Sequence, residues 1–269
     1  QAQRYNTPGI CFVNKLDRVG SDFFRVVEEI RDHLGANAVP VQLPLRSGDE
    51  FVGVIDLVSR EAIIYDEQTQ GAHYAVREVP EQYREQVERW RAEMIEAACE
   101  EVDWMADRFL AEAPFTPDEI HAGLRDATIA GNLFPVLCGA ALRNRGIQRL
   151  LDAIGYYLPC PADVPVILGS DPKTGKTVER RPDPDEPFSG MAFKIQSDKH
   201  GDLFYTRIYS GVLKERSRVY NANQQKAEQI NRIYRMHANS REQLHQAGPG
   251  AIVALVGPRL SLIHISEPT

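Results

Sequence analysis

Residues 9–20 read GICFVNKLDRVG, an apolar run from Ile10 to Val13 that ends in Asn14, Lys15 and Asp17. An apolar run closed by polar groups suits a buried strand that meets a loop. An ionised carboxylate such as Asp17 is an acceptor-only fork, and guanine offers such a fork an N–H edge and an exocyclic amine, both donors. Adenine reverses that edge, so an aspartate buried against it would be left partly unpaired. Lys15 has an aliphatic stem long enough to cover a base plane. Asn14 has a donor and an acceptor with which to tie the loop to its neighbours. The pattern N-K-x-D is short, and a capping turn with incidental charges reads the same way.

The bounds around that strand are those of a globular chain. At 269 residues, with 43% hydrophobic and 26% charged, it has room for one large or two ordinary domains. No apolar run approaches the roughly 20 residues that span a bilayer, and no signal-peptide pattern opens the sequence. Cys11, Cys99, Cys138 and Cys160 are far apart and form no C-x-x-C, so reduced cytoplasmic thiols are expected, with no zinc and no disulfide framework. The net charge of −7 hides an asymmetry. Residues 61–119 hold 16 acidic and 5 basic side chains, a net of −11. Residues 187–259 hold 5 acidic and 11 basic, a net of +6. Opposite signs on two segments suggest two partners, with a pair of solvated faces as the alternative.

Period and punctuation place the remaining elements. In SDFFRVVEEIRDHLG, Phe23, Val26, Val27, Ile30 and Leu34 fall at helical spacing between Asp22 as N-cap and Gly35 as stop. VPVQLPL, EFVGVIDLV and EAIIYD read as strands of a meander. Pro80 opens an acidic helix with a stripe of Val87, Trp90, Met94 and Ala97. Thr116, Pro117 and Glu119 announce another through a capping box, with Ile120, Leu124 and Ala127 inward and a stop near Gly131. LFPVLC is a buried strand leading into GAAL. GIQRLLDAIGYYL is an amphipathic helix with Ile147, Leu150, Leu151, Ile154 and Leu158 on one face. After the turn-rich DPKTGKTVERRPDPDEP, strands follow alone: FSGMAFKIQ, DLFYTRIYSGVL, SRVYN, KAEQINRIYRM and AIVALVG. An α/β unit followed by a small antiparallel β-barrel is expected. GSDPKTGKT, residues 169–177, has one residue too many between its glycines for a phosphate loop. Prolines forbid the helix that should follow it, so a surface turn is expected.

Three long stretches resemble bacterial-type elongation factor G in order. GICFVNKLDRVGSDFFRVVEEIRDHLGANAVPVQLPL is similar to its guanine-specificity strand and the segment after that strand, and ATIAGNLFPVLCGAALRNRGIQRLLDAIGYYLP to a later part of the same domain. PFSGMAFKIQSDKHGDLFYTRIYSGVLKERSRVYN with RIYRMHAN resembles its second domain, and the similarity runs collinearly from about Thr7 to Pro258. The resemblance implies that residues 1–34 and 132–162 are the C-terminal part of a P-loop GTPase domain. It makes 35–131 an inserted α+β subdomain and 163–259 the β-barrel domain II. At matching positions Asn14, Lys15 and Asp17 fall on the base-specificity motif. Ala140, Ala141 and Leu142 fall on the second base-contacting loop, usually Ser-Ala-Phe or Ser-Ala-Leu. Ala140 replaces the serine whose hydroxyl helps fix that loop, and the Ala141 main-chain N–H is expected to contact the guanine oxygen.

The family implies GTP/GDP as ligand, with magnesium in the full-length parent, and coupling of GTP hydrolysis to tRNA–mRNA translocation. Recycling and ribosome-protection factors share the architecture. The implied partner is the ribosome, with the acidic insert facing the stalk protein and the basic barrel facing rRNA phosphates. A cytoplasmic monomer that binds no membrane is expected. The family's phosphate loop, magnesium-binding threonine and catalytic histidine lie upstream of N-K-x-D. No G-x-x-x-x-G-K-[ST] or D-x-P-G-H occurs here, and His33, His73, His121, His200, His237, His245 and His264 all lie downstream. No catalytic residue or metal ligand is therefore assigned, Gln1 is not expected to be a native start, and GICFVN is expected in the middle of a parallel sheet whose other strands come largely from an upstream segment. LSLIHISEPT, residues 260–269, resembles a translated sequencing adapter and is expected to be a non-native tail, against the competing reading of a native edge strand. An inactive internal piece of a translocase is favoured over a stand-alone, non-hydrolysing ribosome-binding module.

Overall fold

The opening apolar run becomes β1 (Cys11–Val13), in a computed structural model that describes residues 7–163, 166–171, 174–198, 201–238 and 240–258. The tail from residue 260 lies outside these residues. The chain divides into two units between Leu158 and Pro159.

In the first unit β1 is followed by α1 (Phe23–Leu34), β2 (Ala38–Pro40), β3 (Gln42–Ser47), β4 (Glu50–Asp56), β5 (Glu61–Tyr65) and β6 (Tyr74–Glu78). Then come α2 (Arg84–Glu101), α3 (Asp103–Leu110), α4 (Pro117–Ile129), β7 (Phe134–Cys138) and α5 (Ile147–Tyr157). Local chemistry sets the helix ends. Asp22 Oδ1 accepts the Arg25 N–H at 3.1 Å, and Gly35 stops α1 in the left-handed region. Thr116 and Glu119 close a reciprocal capping box at the start of α4.

Two sheets share one core. β1, β7 and β2 form a parallel sheet in the order β1-β7-β2. Among the described residues β7 takes the middle and is buried along its length, while β1 lies at an edge and buries only Val13. The stretch VPVQLPL is not one strand. Val41 donates to Val136 O and accepts from Leu57 N, both at 3.0 Å, so the chain leaves the parallel sheet there and enters the antiparallel meander β3-β4-β5-β6. β6 went unread because its residues are mostly exposed and lack alternation. Val13, Leu43, Ile63, Met94, Leu124 and Leu137 all belong to one hydrophobic cluster, so meander, helices and parallel sheet are not separate cores.

The α2 stripe buries Val87, Trp90 and Met94, with Ala98 and Cys99 in place of Ala97. It also buries Arg91, which donates to the carbonyls of Leu57 and Val58. α5 departs further from its expected face. Ala153 and Tyr157 are buried, while Leu151 is 62% and Ile154 43% exposed. Its inward edge is set by α4: His121 Nδ1 lies 2.9 Å from the Tyr157 hydroxyl and the His121 ring stacks on Tyr156 at 4.2 Å. Arg125 donates to the carbonyls of Tyr156 and Leu158, each at 2.9 Å.

The second unit begins with a hairpin, β8 (Ile167–Ser170) and β9 (Thr177–Arg180). Gly169, Ser170 and Thr177 of the GSDPKTGKT stretch lie in these strands, and between them Gly175 N donates to Asp171 O at 2.8 Å. A strand, not a helix, comes after the turn. β10 (Ser189–Asp198), β11 (Gly201–Ser210), β12 (Leu213–Lys214), β13 (Arg218–Asn221) and β14 (Lys226–Gln229) continue the chain. β15 (Arg232–His237), β16 (Ser240–Leu244), β17 (Gln246–Ala247) and β18 (Ile252–Val256) end it. KAEQINRIYRM breaks at Ile230, which is buried, into β14 and β15. Five strands form an antiparallel sheet, β10-β11-β18-β15-β16, and β12–β17 and β13–β14 form separate ribbons. A barrel requires a ladder that closes on itself. Among the described residues this sheet stays open, with β10 and β16 at its edges, over a core of Phe204, Ile208, Ile230, Ile233, Val253 and Leu255.

The His121 contact makes the first unit pH-sensitive. Burial, against the weaker pull of Asp56 and Asp118, holds its imidazole below the ordinary value of 6.5. The fold therefore favours neutral His121, whose contribution is complete above pH 6.5 and is lost as pH falls through the depressed folded value. Trp90 and Trp104 both lie in this unit, so fluorescence reports its unfolding. The urea midpoint should drop as pH falls below 6.5, and His121→Phe should flatten that drop.

Candidate functional site

Two loops meet where β1 and β7 run side by side. Val13 pairs with Cys138, and the ladder continues beyond the strands: Gly139 N donates to Val13 O at 3.0 Å and Leu16 N to Gly139 O at 3.1 Å. The loop after β1 thus lies against the loop after β7. Leu16 is buried and plugs the first loop into the core, while Asn14, Lys15 and Asp17 stay outside. Lys15 makes that turn in the left-handed region, at φ 64°.

Asn14 joins the two loops. Its Oδ1 accepts the N–H of Lys15 at 2.8 Å and the N–H of Ala141, 127 positions away, at 2.9 Å. The Ala141 amide expected to face a guanine oxygen is here held by Asn14. Asp17 Oδ2 lies 3.3 Å from Arg143 Nε, with its side chain 22% exposed. The carboxylate is therefore at the surface and already carries a cation from the second loop. Ala140 is buried, and Leu142 is 99% exposed.

The second loop is held without a serine hydroxyl. Ala140 and Arg145 exchange backbone hydrogen bonds at 2.8 and 3.2 Å, closing a 3-10 turn over Ala141–Arg143. Arg145 is 3% exposed, and its guanidinium donates to Phe51 O. The first loop has a matching support. Arg46 Nη2 donates to Leu16 O at 3.2 Å and to Ser21 Oγ at 2.7 Å, and Ser21 Oγ donates to Leu16 O at 2.9 Å. Sequence reasoning missed Arg46, Arg143 and Arg145. No local pattern separates them from surface arginines, and only their tertiary neighbours do. A cleft of 380 Å³ adjoins the second loop through Leu142, Arg143 and Arg145 but does not reach Asn14, Lys15 or Asp17.

This arrangement gathers a carboxylate, a lysine and a main-chain amide where the two loops meet, the carboxylate held by Arg143 and the amide by Asn14. Among the described residues no group of three or more His, Cys, Asp or Glu is placed to hold a metal ion.

Residues 1–160 match the family model of the elongation factor Tu GTP binding domain. The chain belongs to that family. In this GTP-binding domain the two facing loops lie at the C-terminal ends of adjacent parallel strands, where open α/β sheets bind ligands. Residues 187–262 match the model of elongation factor G domain 2, so the order of domains is that of a translational GTPase. A crystal structure of a protein from Thermus thermophilus aligns with this translational GTPase chain at a TM-score of 0.77 and 27% identity. The alignment covers 95% of this chain and 35% of that one. No helix among the described residues is long and apolar enough to cross a membrane.

Removing the Asn14 carbonyl leaves the Ala141 and Lys15 amides without their acceptor. Asn14→Ala should lower the stability of the GTP-binding unit by about 0.5–1.5 kcal/mol, whereas Asn14→Asp, which keeps the acceptor, should stay close to the parent. Urea unfolding read by tryptophan fluorescence measures both.

Proposed function

We propose that this chain carries the guanine-selecting part of a ribosomal translocase of the elongation factor G type. Residues 1–34 and 132–162 are its share of the GTP-binding domain, 35–131 the insert and 163–259 domain II. Asn14, Lys15, Asp17, Ala140, Ala141 and Leu142 form the base side of the site. The observation that carries this reading is the 2.9 Å hydrogen bond from Ala141 N to Asn14 Oδ1, which joins the two loops at the end of the parallel sheet. Guanine presents two donors and a carbonyl acceptor on one edge. Asp17 takes the donors, the Ala141 amide takes the carbonyl and the Lys15 stem covers the ring. Docking exchanges two internal contacts, Arg143 on Asp17 and Asn14 on Ala141, for contacts to the base. The base therefore adds selectivity more than affinity.

Affinity in such sites comes mostly from the charged phosphates. Hydrogen bonds to charged groups are worth roughly 1.5–3 kcal/mol each, so lacking four of them removes at least about 6 kcal/mol. At about 1.4 kcal/mol per decade, that is roughly a 10⁴-fold loss or more. The isolated chain should show no GTP hydrolysis and no GDP binding at micromolar concentrations by calorimetry. Fused to the upstream half of a close relative, it should bind guanine nucleotides, and Asp17→Asn should shift the preference to xanthine, whose ring carbonyl wants the donor that asparagine supplies. Micromolar GDP binding by the chain alone would overturn the first claim. An unchanged guanine preference in the fusion would remove Asp17 from the site.

The same proposal assigns the basic second unit to ribosomal RNA and the acidic α2 region to a ribosomal stalk protein. Exposed cations of the second unit sit over aromatic rings, Lys194 over Tyr205 at 5.3 Å and Arg241 over Tyr234 at 5.4 Å. Pairs of this kind suit phosphate neutralisation beside stacked bases. Ribosome binding should weaken steeply as salt rises, because neutralised phosphates release counterions. Sedimentation at rising salt tests it, and salt-insensitive binding argues against the RNA assignment.

A further inference from the structure

We propose that Arg145 is a positioning residue for base recognition, its buried guanidinium tying the Ala140–Asn144 loop to β4 so that the Ala141 amide is held in place. The inference rests on the guanine-site reading above and adds to it a residue that touches no base.

Three observations converge on this loop. Arg145 exchanges both backbone hydrogen bonds with Ala140, the residue immediately before the Ala141 amide. Its side chain is 4% exposed, donates to Phe51 O and lies 3.4 Å from Glu50 Oε1 at the start of β4. The turn between β5 and β6 grips the same loop from another side: Asn144 Nδ2 donates to Gln70 O at 3.2 Å and Gln148 Nε2 to Gly71 O at 2.8 Å. That turn comes so close that a Cβ on Gly71 would collide with the Arg143 carbonyl.

The physical consequence is specific to Arg145. Ala140 offers no side-chain oxygen, so the loop takes its rigidity from its backbone bridge and from side chains that reach out of it. Among these, Asn144 and its Gln70 contact are solvent-exposed, where a hydrogen bond competes with water. The Arg145 contact is buried. Breaking it leaves Phe51 O without this donor in the interior and frees the chain segment that sets where the Ala141 N–H points. A recognition loop that must be ordered by its ligand binds more weakly than one already in place.

The test uses the whole 269-residue chain with millimolar guanosine as the probe, followed by amide NMR. In the parent chain guanosine should shift the Lys15, Asp17 and Ala141 amides. Arg145→Met, close in size but without a donor, should weaken guanosine binding about tenfold or more and speed exchange of the Ala140 and Ala141 amides by a similar factor. Exchange in β7 should change little. A merely structural role would instead loosen β7 and the loop together. If guanosine shifts the parent chain and Arg145→Met binds it equally well, the Arg145 assignment is overturned while the guanine site stands. If the parent chain gives no shift at those amides, the guanine-site reading itself fails and takes the assignment with it. Should Arg145→Met not fold, the parent chain decides: its Ala140 amide must exchange as slowly as those of β7. Exchange at the rate of the amide of the exposed Leu142 would overturn the proposal.

Discussion

The parallel pairing of β1 with β7 is the constraint on which the site depends. Because parallel strands end on the same side, pairing Val13 with Cys138 delivers two loops from distant parts of the sequence to one edge. The ladder then runs on through Gly139 and Leu16, so the loops are held by main-chain hydrogen bonds before any side chain acts. Asn14 adds a side-chain bond between them, and Arg143 adds an ion pair to Asp17. With Leu16 plugged into the core and Lys15 left-handed, the polar groups of N-K-x-D have only the outer surface to occupy.

The meander between the two loops is more than an insertion. Its residues share one hydrophobic cluster with the parallel sheet, and its strand β4 and the turn after β5 supply the carbonyls that Arg145, Asn144 and Gln148 reach. Arg46, on the strand next to β4, supports the first loop in the same way. Both loops therefore lean on one small antiparallel sheet. A buried arginine facing backbone carbonyls suits that task, since one planar group with several donors can satisfy acceptors that no apolar side chain could. Charge divides along the chain as well, acidic between residues 61 and 119 and basic from residue 187 onward, which gives the two units different surface chemistry.

How much of this was legible depended on whether the signal was local. The caps at Asp22 and Thr116, the stop at Gly35 and the strands LFPVLC and AIVALVG follow from short-range rules, and the chain folds them that way. The inward face of α5 did not follow. Its leucines and isoleucine form the apolar stripe, yet α4 contacts the side carrying Ala153 and Tyr157 through a histidine and an arginine. The barrel expectation was right about antiparallel strands and not about closure among the described residues, because alternation shows which face is buried but not which strand pairs with which.

For the site, the sequence by itself determined the residue types: a carboxylate fork, an asparagine and a lysine after an apolar strand, and a small-residue loop after a second one. Those follow from chemistry that each short segment carries alone. The tertiary structure decided what those groups touch. It put Arg143 on Asp17, turned the Ala141 amide to Asn14, left Leu142 in solvent and buried Arg145 under β4. These contacts join residues up to 127 positions apart, and their partners include main-chain carbonyls, which every residue possesses and no sequence pattern can single out.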